Sequence, residues 1–173
     1  MSDQPVFREA QVEDAEGFVR AYEAAWNATA GAIVGKILEE LMPFEARVEQ
    51  YRAGVAEAPG NARAWVAEQA GEIVGVAVCR RDGDAVELRA LYVVPAAWGT
   101  GLAARLMDAA LDSVRGDATA AFLWVGEDNV RARGSTSGRA GCRRTSRGPV
   151  RSGHLSCGTA APSDSERELI RRR

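Results

Sequence analysis

The chain has 173 residues, 46% of them hydrophobic and 27% charged, a composition that suits one globular domain with its own core. No apolar run is long enough to span a bilayer, so we expect no membrane span. The net charge of −2 conceals a division, because residues 131–173 hold 11 of the 22 basic and three of the 24 acidic side chains. That segment carries +8 and residues 1–130 carry −10. A basic tail on an acidic domain can mark a nucleic-acid-binding arm.

The cysteines indicate the compartment. Cys79, Cys142 and Cys157 are odd in number and lack the spacing of a disulfide framework, which favours a reducing cytoplasm. Residues 1–10 lack a basic stretch followed by an apolar run, so no signal peptide is expected. No cluster of histidines and cysteines suggests a metal, and we expect Cys79 to be a small core residue of a strand.

The first part of the chain predicts one strand and two helices. The strand covers residues 5–10, with Val6 and Phe7 as core candidates. A helix begins at Val12 and has apolar residues at helical spacing: Ala15, Phe18, Val19, Tyr22 and Trp26. Small residues 27–35 predict a loop. A second helix is predicted over residues 36–58, with these side chains inward: Ile37, Leu38, Leu41, Phe44, Val48, Tyr51 and Val55.

Three antiparallel strands follow. They are predicted over residues 64–68, 72–81 and 85–94, joined by two tight turns that contain Gly71 and Gly83. A further strand is predicted over residues 120–125. A helix separates it from the preceding strand, so the two should lie parallel.

The most informative stretch lies between those last two strands. A branched apolar strand ends at Pro95, and the turn Trp98-Gly99-Thr100-Gly101 leads directly into an amphipathic helix over residues 102–114. The first N–H groups of such a helix and its positive dipole end can bind an anion, and glycines allow close approach. Spacing alone leaves open an ordinary strand-to-helix connection. A P-loop would need Gly-Lys-Ser/Thr, but Leu102 follows Gly101.

This stretch resembles the cofactor motif of the GNAT superfamily of N-acetyltransferases, Gln/Arg-x-x-Gly-x-Gly/Ala, which follows a strand ending in a hydrophobic-x-Val-x-Pro pattern. Five residues match the motif and the strand end: Gly101, Ala103, Leu91, Val93 and Pro95. Trp98 stands where the family has Gln or Arg. Family contacts to the pyrophosphate there come mostly from backbone N–H groups, which any side chain allows.

The resemblance implies fold, ligand and contact residues. The fold would be an α/β (α+β) GNAT domain over residues 1–133, with a mixed, mostly antiparallel sheet flanked by helices. Acetyl-CoA would be the co-substrate, and a primary amine of a small molecule or protein the acceptor. The implied cofactor contacts are Leu91, Val93, Trp98, Gly99, Thr100, Gly101, Leu102, Ala103, Ala104 and Asn129.

Glu87 is the candidate general base. In the histone-acetyltransferase branch of the family, a Glu at the same distance from the motif has this role, and a carboxylate can take the proton of the amine. The alternatives are a solvated or paired strand residue, with the base elsewhere. Tyr92 should point to the opposite strand face from Leu91 and Val93 and is expected to be structural.

After Asn129 the family continues with a helix containing Phe-Tyr-Glu-Arg-x-Gly-Phe and two more strands, and its Tyr protonates the departing thiolate. This chain instead has Gly-Ser-Thr-Ser-Gly-Arg-Ala at residues 134–140. Among the synonymous codons that can encode those residues, with the third bases chosen freely, are GGT TCT ACG AGC GGG CGG GCx. Read from the third base of the first codon, they give Phe-Tyr-Glu-Arg-Ala-Gly. We therefore hypothesise a shift of the reading frame near Arg133; the alternative is a natural low-complexity tail.

Residues 134–173 contain no aromatic residue and are expected to be a disordered tail outside the core, where the lone His154 has no catalytic role. Out-of-frame translation would explain the basic charge of this segment. We therefore disfavour the interpretation of the segment as a nucleic-acid-binding arm. Without the last helix end and the final two strands, the edge at residues 120–125 should lie unpaired and invite self-association as a homodimer. The missing Tyr favours an alternative function, a catalytically impaired acyl-CoA-binding protein.

Overall fold

The computed structural model describes residues 4–32, 35–56, 62–116, 118, 120–123 and 142–144. The strands are β1 Val6–Glu9, β2 Ala62–Gln69, β3 Glu72–Asp82, β4 Ala85–Val93, β5 Ala120–Leu123 and β6 Cys142–Arg144. The helices are α1 Ala15–Trp26, α2 Leu38–Leu41, α3 Phe44–Ala56 and α4 Leu102–Arg115. Single 3₁₀ turns cover Val12–Asp14 and Pro95–Ala97. Among the helices of these ranges, none combines the length and apolar character needed to cross a bilayer.

The strands form one mixed sheet in the order β1-β2-β3-β4-β5-β6. The first four strands pair antiparallel. β5 pairs with β4 in parallel, because α4 carries the chain from the end of β4 back to the level at which β4 begins. The mixed, mostly antiparallel architecture predicted from the sequence is confirmed, as is the parallel direction of β5.

Two apolar layers cover the two faces of the sheet. α1 and α3 pack on one face around Phe18, Tyr22 and Val76. α4 packs on the other through an apolar stripe that includes Leu106 and Met107, both nearly inaccessible to solvent. Cys79 lies in this second layer, fully buried, as predicted, and burial raises the pKa of its thiol to about 11.

A β-bulge in β4 changes which residues face each layer. Val78 pairs with Ala90 and Cys79 with Leu88, so Arg89 is the extra residue of β4. Before the bulge, Leu88 faces α4; after it, Ala90 faces α1. The register therefore shifts by one residue in the middle of the strand.

The helical region departs from the prediction. The single helix expected over residues 36–58 is two helices, because Pro43 breaks it. Met42, immediately before Pro43, is extended with φ −159° and ψ 125°, as the residue before a proline prefers. The pattern also misassigns three side chains as inward: Val6, Ile37 and Leu41 are exposed.

The loop expected over residues 27–35 is also wrong in its first half. α1 continues through Asn27–Gly31 as a turn of π-helix. The hydroxyl of Thr29 donates to the carbonyl of Ala25 at 2.7 Å, which occupies a backbone acceptor of α1 at this widened turn.

At the far edge, β6 pairs in parallel with residues 121–123 of β5. The prediction of an unpaired edge is wrong at these residues, and the prediction of self-association loses that support. β6 is also a short strand in a segment where the sequence predicts none. Asn129 and the residues of the tail other than 142–144 lie outside the described residues.

Candidate active site

The turn between β4 and α4 owes its shape to two glycines. Gly99 has φ +81° and Gly101 has φ +79°, backbone conformations that side chains with a Cβ rarely adopt. A Cβ built at either position meets no atom within 4 Å. The main chain of the turn is therefore open on its outer side and can be approached closely by a ligand.

Hydrogen bonds hold the rest of the turn in place. Trp98 donates its backbone N–H to the carbonyl of Pro95 at 3.1 Å and its indole N–H to the carbonyl of Val93 at 2.7 Å. Thr100 donates its hydroxyl to the carbonyl of Ala97 at 2.8 Å. The turn is thus fastened to the end of β4 before α4 begins.

α4 presents an N-terminus suited to an anion. It is 14 residues long and has no acidic residue in its first turn. Leu102, Ala103 and Ala104 open it. The N–H of Leu102 donates to the hydroxyl oxygen of Thr100 at 3.4 Å, and N–H groups at these first positions have no acceptor within the helix. The helix dipole places positive potential at the same point.

Gly75 of β3 brings this N-terminus close to the sheet, a role that the sequence pattern does not reveal. A Cβ at Gly75 would lie 3.0 Å from Leu102 and 3.1 Å from Leu106, so a larger residue would push the first turns of α4 outward. Leu91 and Val93 also turn their side chains toward α4. Any contact of these two residues with a cofactor would therefore come from their main chain.

Glu87 lies on the opposite face of the sheet from α4. Its neighbours Val86 and Leu88 pack in the α4 layer, so alternation directs Glu87 to the α1 face. Its side chain is 18% exposed, and its carboxylate lies 3.8 Å from Arg80 and 3.9 Å from Arg89. The sequence pattern does not indicate either arginine as a neighbour of Glu87. The two-residue turn after Asp82 fixes the register that places Arg80 opposite Glu87.

Tyr92 packs in the α1 layer, whereas Leu91 and Val93 pack in the α4 layer, as predicted. Its ring meets that of Tyr22 edge to face, with centroids 4.7 Å apart. Burial raises the pKa of Tyr92 to about 12. These contacts are those of a structural residue, as the sequence predicts.

A mixed sheet whose fourth strand ends in a glycine turn at a helix N-terminus defines a class of protein, and comparisons with known proteins agree. The model of the acetyltransferase (GNAT) family matches residues 22–135. The chain therefore belongs to the GNAT family of acetyltransferases. An uncharacterised N-acetyltransferase of Archaeoglobus fulgidus is 28% identical over 134 residues, which cover 73% of this chain and 85% of that protein.

Solved structures show the same fold. The PaiA N-acetyltransferase of Thermoplasma acidophilum, crystallised with coenzyme A, superposes with a TM-score of 0.66 at 18% identity, covering 78% of this chain and 86% of that one. A GNAT acetyltransferase of Brucella melitensis, crystallised with acetyl-CoA, gives 0.54 at 20% identity, with coverage of 77% and 83%.

Proposed function

We propose that this chain binds acetyl-CoA with its pyrophosphate at the amides of residues 99–104. The observation that carries the proposal is the pair of positive-φ glycines, Gly99 and Gly101, at the start of α4. An extended diphosphate fits an open main chain at a helix N-terminus, where the first N–H groups and the positive end of the dipole favour an anion. Trp98 contributes by fastening the turn, because its two N–H groups donate to the carbonyls of Pro95 and Val93.

The reaction proposed is acetyl transfer to a primary amine of a small molecule or protein. Bound acetyl-CoA supplies a thioester whose carbonyl carbon is attacked by the amine nitrogen; a C–N bond forms, the C–S bond breaks and CoA leaves as its thiolate. Glu87, directly or through one water, takes the proton that the nitrogen loses. Backbone N–H groups of β4 near the bulge at Arg89 would polarise the carbonyl oxygen.

A second candidate, an acyl-CoA-binding protein with impaired catalysis, is favoured by one observation. The family match ends at residue 135, close to where the sequence departs from the family at residue 134. Synonymous codons exist for residues 134–140 that read Phe-Tyr-Glu-Arg-Ala-Gly in another frame, and residues 134–173 contain no Tyr that could protonate the thiolate.

Two measurements on one sample test the proposal. Calorimetry should detect acetyl-CoA binding, and a thiol assay with a panel of amines should detect release of CoA. Glu87→Gln should leave acetyl-CoA affinity unchanged and reduce the rate by about 10²–10⁴. Binding without turnover supports the second candidate. No binding contradicts both.

A further inference from the structure

Three charged side chains, Arg80, Glu87 and Arg89, meet on the α1 face where β4 bulges. The two arginine-to-carboxylate distances, 3.8 Å and 3.9 Å, exceed the length of a hydrogen bond. By comparison, Arg8 reaches Asp14 and Arg47 reaches Glu39 at 2.7 Å. The carboxylate of Glu87 thus offsets part of the positive charge of the two arginines but accepts no hydrogen bond from Arg80.

Arg80 has a donor that the protein does not satisfy. Its Nε is buried and finds no hydrogen-bond acceptor within the part of the chain that the structure describes. An unsatisfied buried donor is costly, so it points to a partner that a bound molecule supplies. The Nε is closed to solvent, but the side chain as a whole is 40% exposed, so a ligand can reach Arg80 through the exposed part of its side chain.

If the proposed function holds, the position of Arg80 indicates that this bound molecule is the acceptor amine. An acceptor amine that gives its proton to Glu87 must come within hydrogen-bond reach of this carboxylate or within one water of it. Arg80 and Arg89 lie within 4 Å of the same carboxylate, so they stand beside the bound acceptor.

We propose that the acceptor carries a second, anionic group, a carboxylate or phosphate, which binds Arg80 beside Arg89. A guanidinium matches both anions through parallel hydrogen bonds. A polyamine would place a second positive charge against these two arginines and should be disfavoured. The arginines are thereby specificity residues of the acceptor site.

The test compares matched amines on the unmodified chain saturated with CoA. Calorimetric titrations use 4-aminobutyrate against butylamine, which lacks the carboxylate, and against putrescine, and O-phosphoethanolamine against ethanolamine. The acidic member of at least one set should bind about tenfold or more tightly than its neutral partner. The set with the larger preference distinguishes carboxylate from phosphate.

Variants assign the preference to Arg80. Arg80→Gln should abolish it, Arg80→Lys should retain part of it, and acetyl-CoA affinity should not change in either. Arg115→Gln is the control, since Arg115 pairs with Asp112 at the end of α4. Equal binding of acidic and neutral amines, no binding of either acidic amine, or a preference that survives in folded Arg80→Gln would each overturn the inference. Failure of the unmodified chain to bind acetyl-CoA in the calorimetry described above would instead contradict the proposed function.

Discussion

The indole N–H of Trp98 donates a 2.7 Å hydrogen bond to the carbonyl oxygen of Val93. This bond joins the glycine turn to the last residue of β4. The family motif usually has Gln or Arg at the position of Trp98, and here the side chain instead bonds the turn to the end of β4. The amides that follow it are thus placed before a ligand arrives, which reduces the entropy lost on binding.

Trp98→Phe keeps an aromatic ring and removes this bond, so acetyl-CoA affinity should fall about two- to tenfold, the effect of one net hydrogen bond. Trp65→Phe is the matched control, because its indole N–H donates to Ser113 at 3.0 Å, beside the later turns of α4. Calorimetry should show a change for Trp98→Phe alone. Equal affinities in the two variants would show that the bond does not organise the turn.

The ion pair between Arg8 and Asp14 should make stability depend on pH. Asp14 accepts from both terminal nitrogens of Arg8, at 2.7 and 2.8 Å, and from the backbone N–H of Gln11. Its hydrogen bonds with Arg8 are the main cause that lowers the pKa of its carboxyl below 3.8. The stabilisation is therefore complete above pH 3.8 and is lost as the pH falls through the lowered value.

Asp14→Asn should lower the free energy of unfolding by about 1 kcal/mol at pH 7, measured by urea denaturation. The difference from the parent chain should shrink as the pH falls below 3.8. Asp112→Asn is the control, because Asp112 is exposed in its pair with Arg115 and should contribute little. A loss for Asp14→Asn that persists undiminished in acid would contradict the electrostatic origin.

Much of the sheet could be predicted from the sequence. Alternating apolar residues and short turns define β2 to β4, and Pro95 followed by glycines marks the start of α4. These signals are local, because each depends on residues a few positions apart. The same is true of the cofactor turn, whose glycines are required by its own backbone conformation.

Features set by distant contacts could not be predicted. Gly75 of β3 lies against Leu102 and Leu106 of α4, a packing that no periodicity reveals. Arg80 meets Glu87 only through the pairing of β3 with β4, and β6 pairs with β5 from a segment whose composition predicts no strand. Pro43, in contrast, was a local signal, and the apolar spacing on both sides of it obscured the break.

The out-of-frame hypothesis predicts a gain of activity. A chain whose reading frame is restored from about Arg133 should release CoA about 10²–10⁴ times faster with its best amine, since it regains a positioned acid. A restored chain with the new Tyr changed to Phe is the control and should lose most of that gain. Equal rates in the original and restored chains would contradict the hypothesis, as would coding DNA in which no single insertion or deletion restores the motif.

The most direct measurement of the central claim is calorimetric titration of acetyl-CoA into Gly101→Asp. A Cβ at φ +79° strains the turn, and a carboxylate would repel the pyrophosphate, so binding should be abolished. Gly83→Asp is the matched control: Gly83 also has positive φ and open space, but lies in the turn between β3 and β4. Loss of binding in Gly101→Asp with unchanged affinity in Gly83→Asp is the predicted result. Unchanged affinity in folded Gly101→Asp would contradict the assignment of the cofactor site.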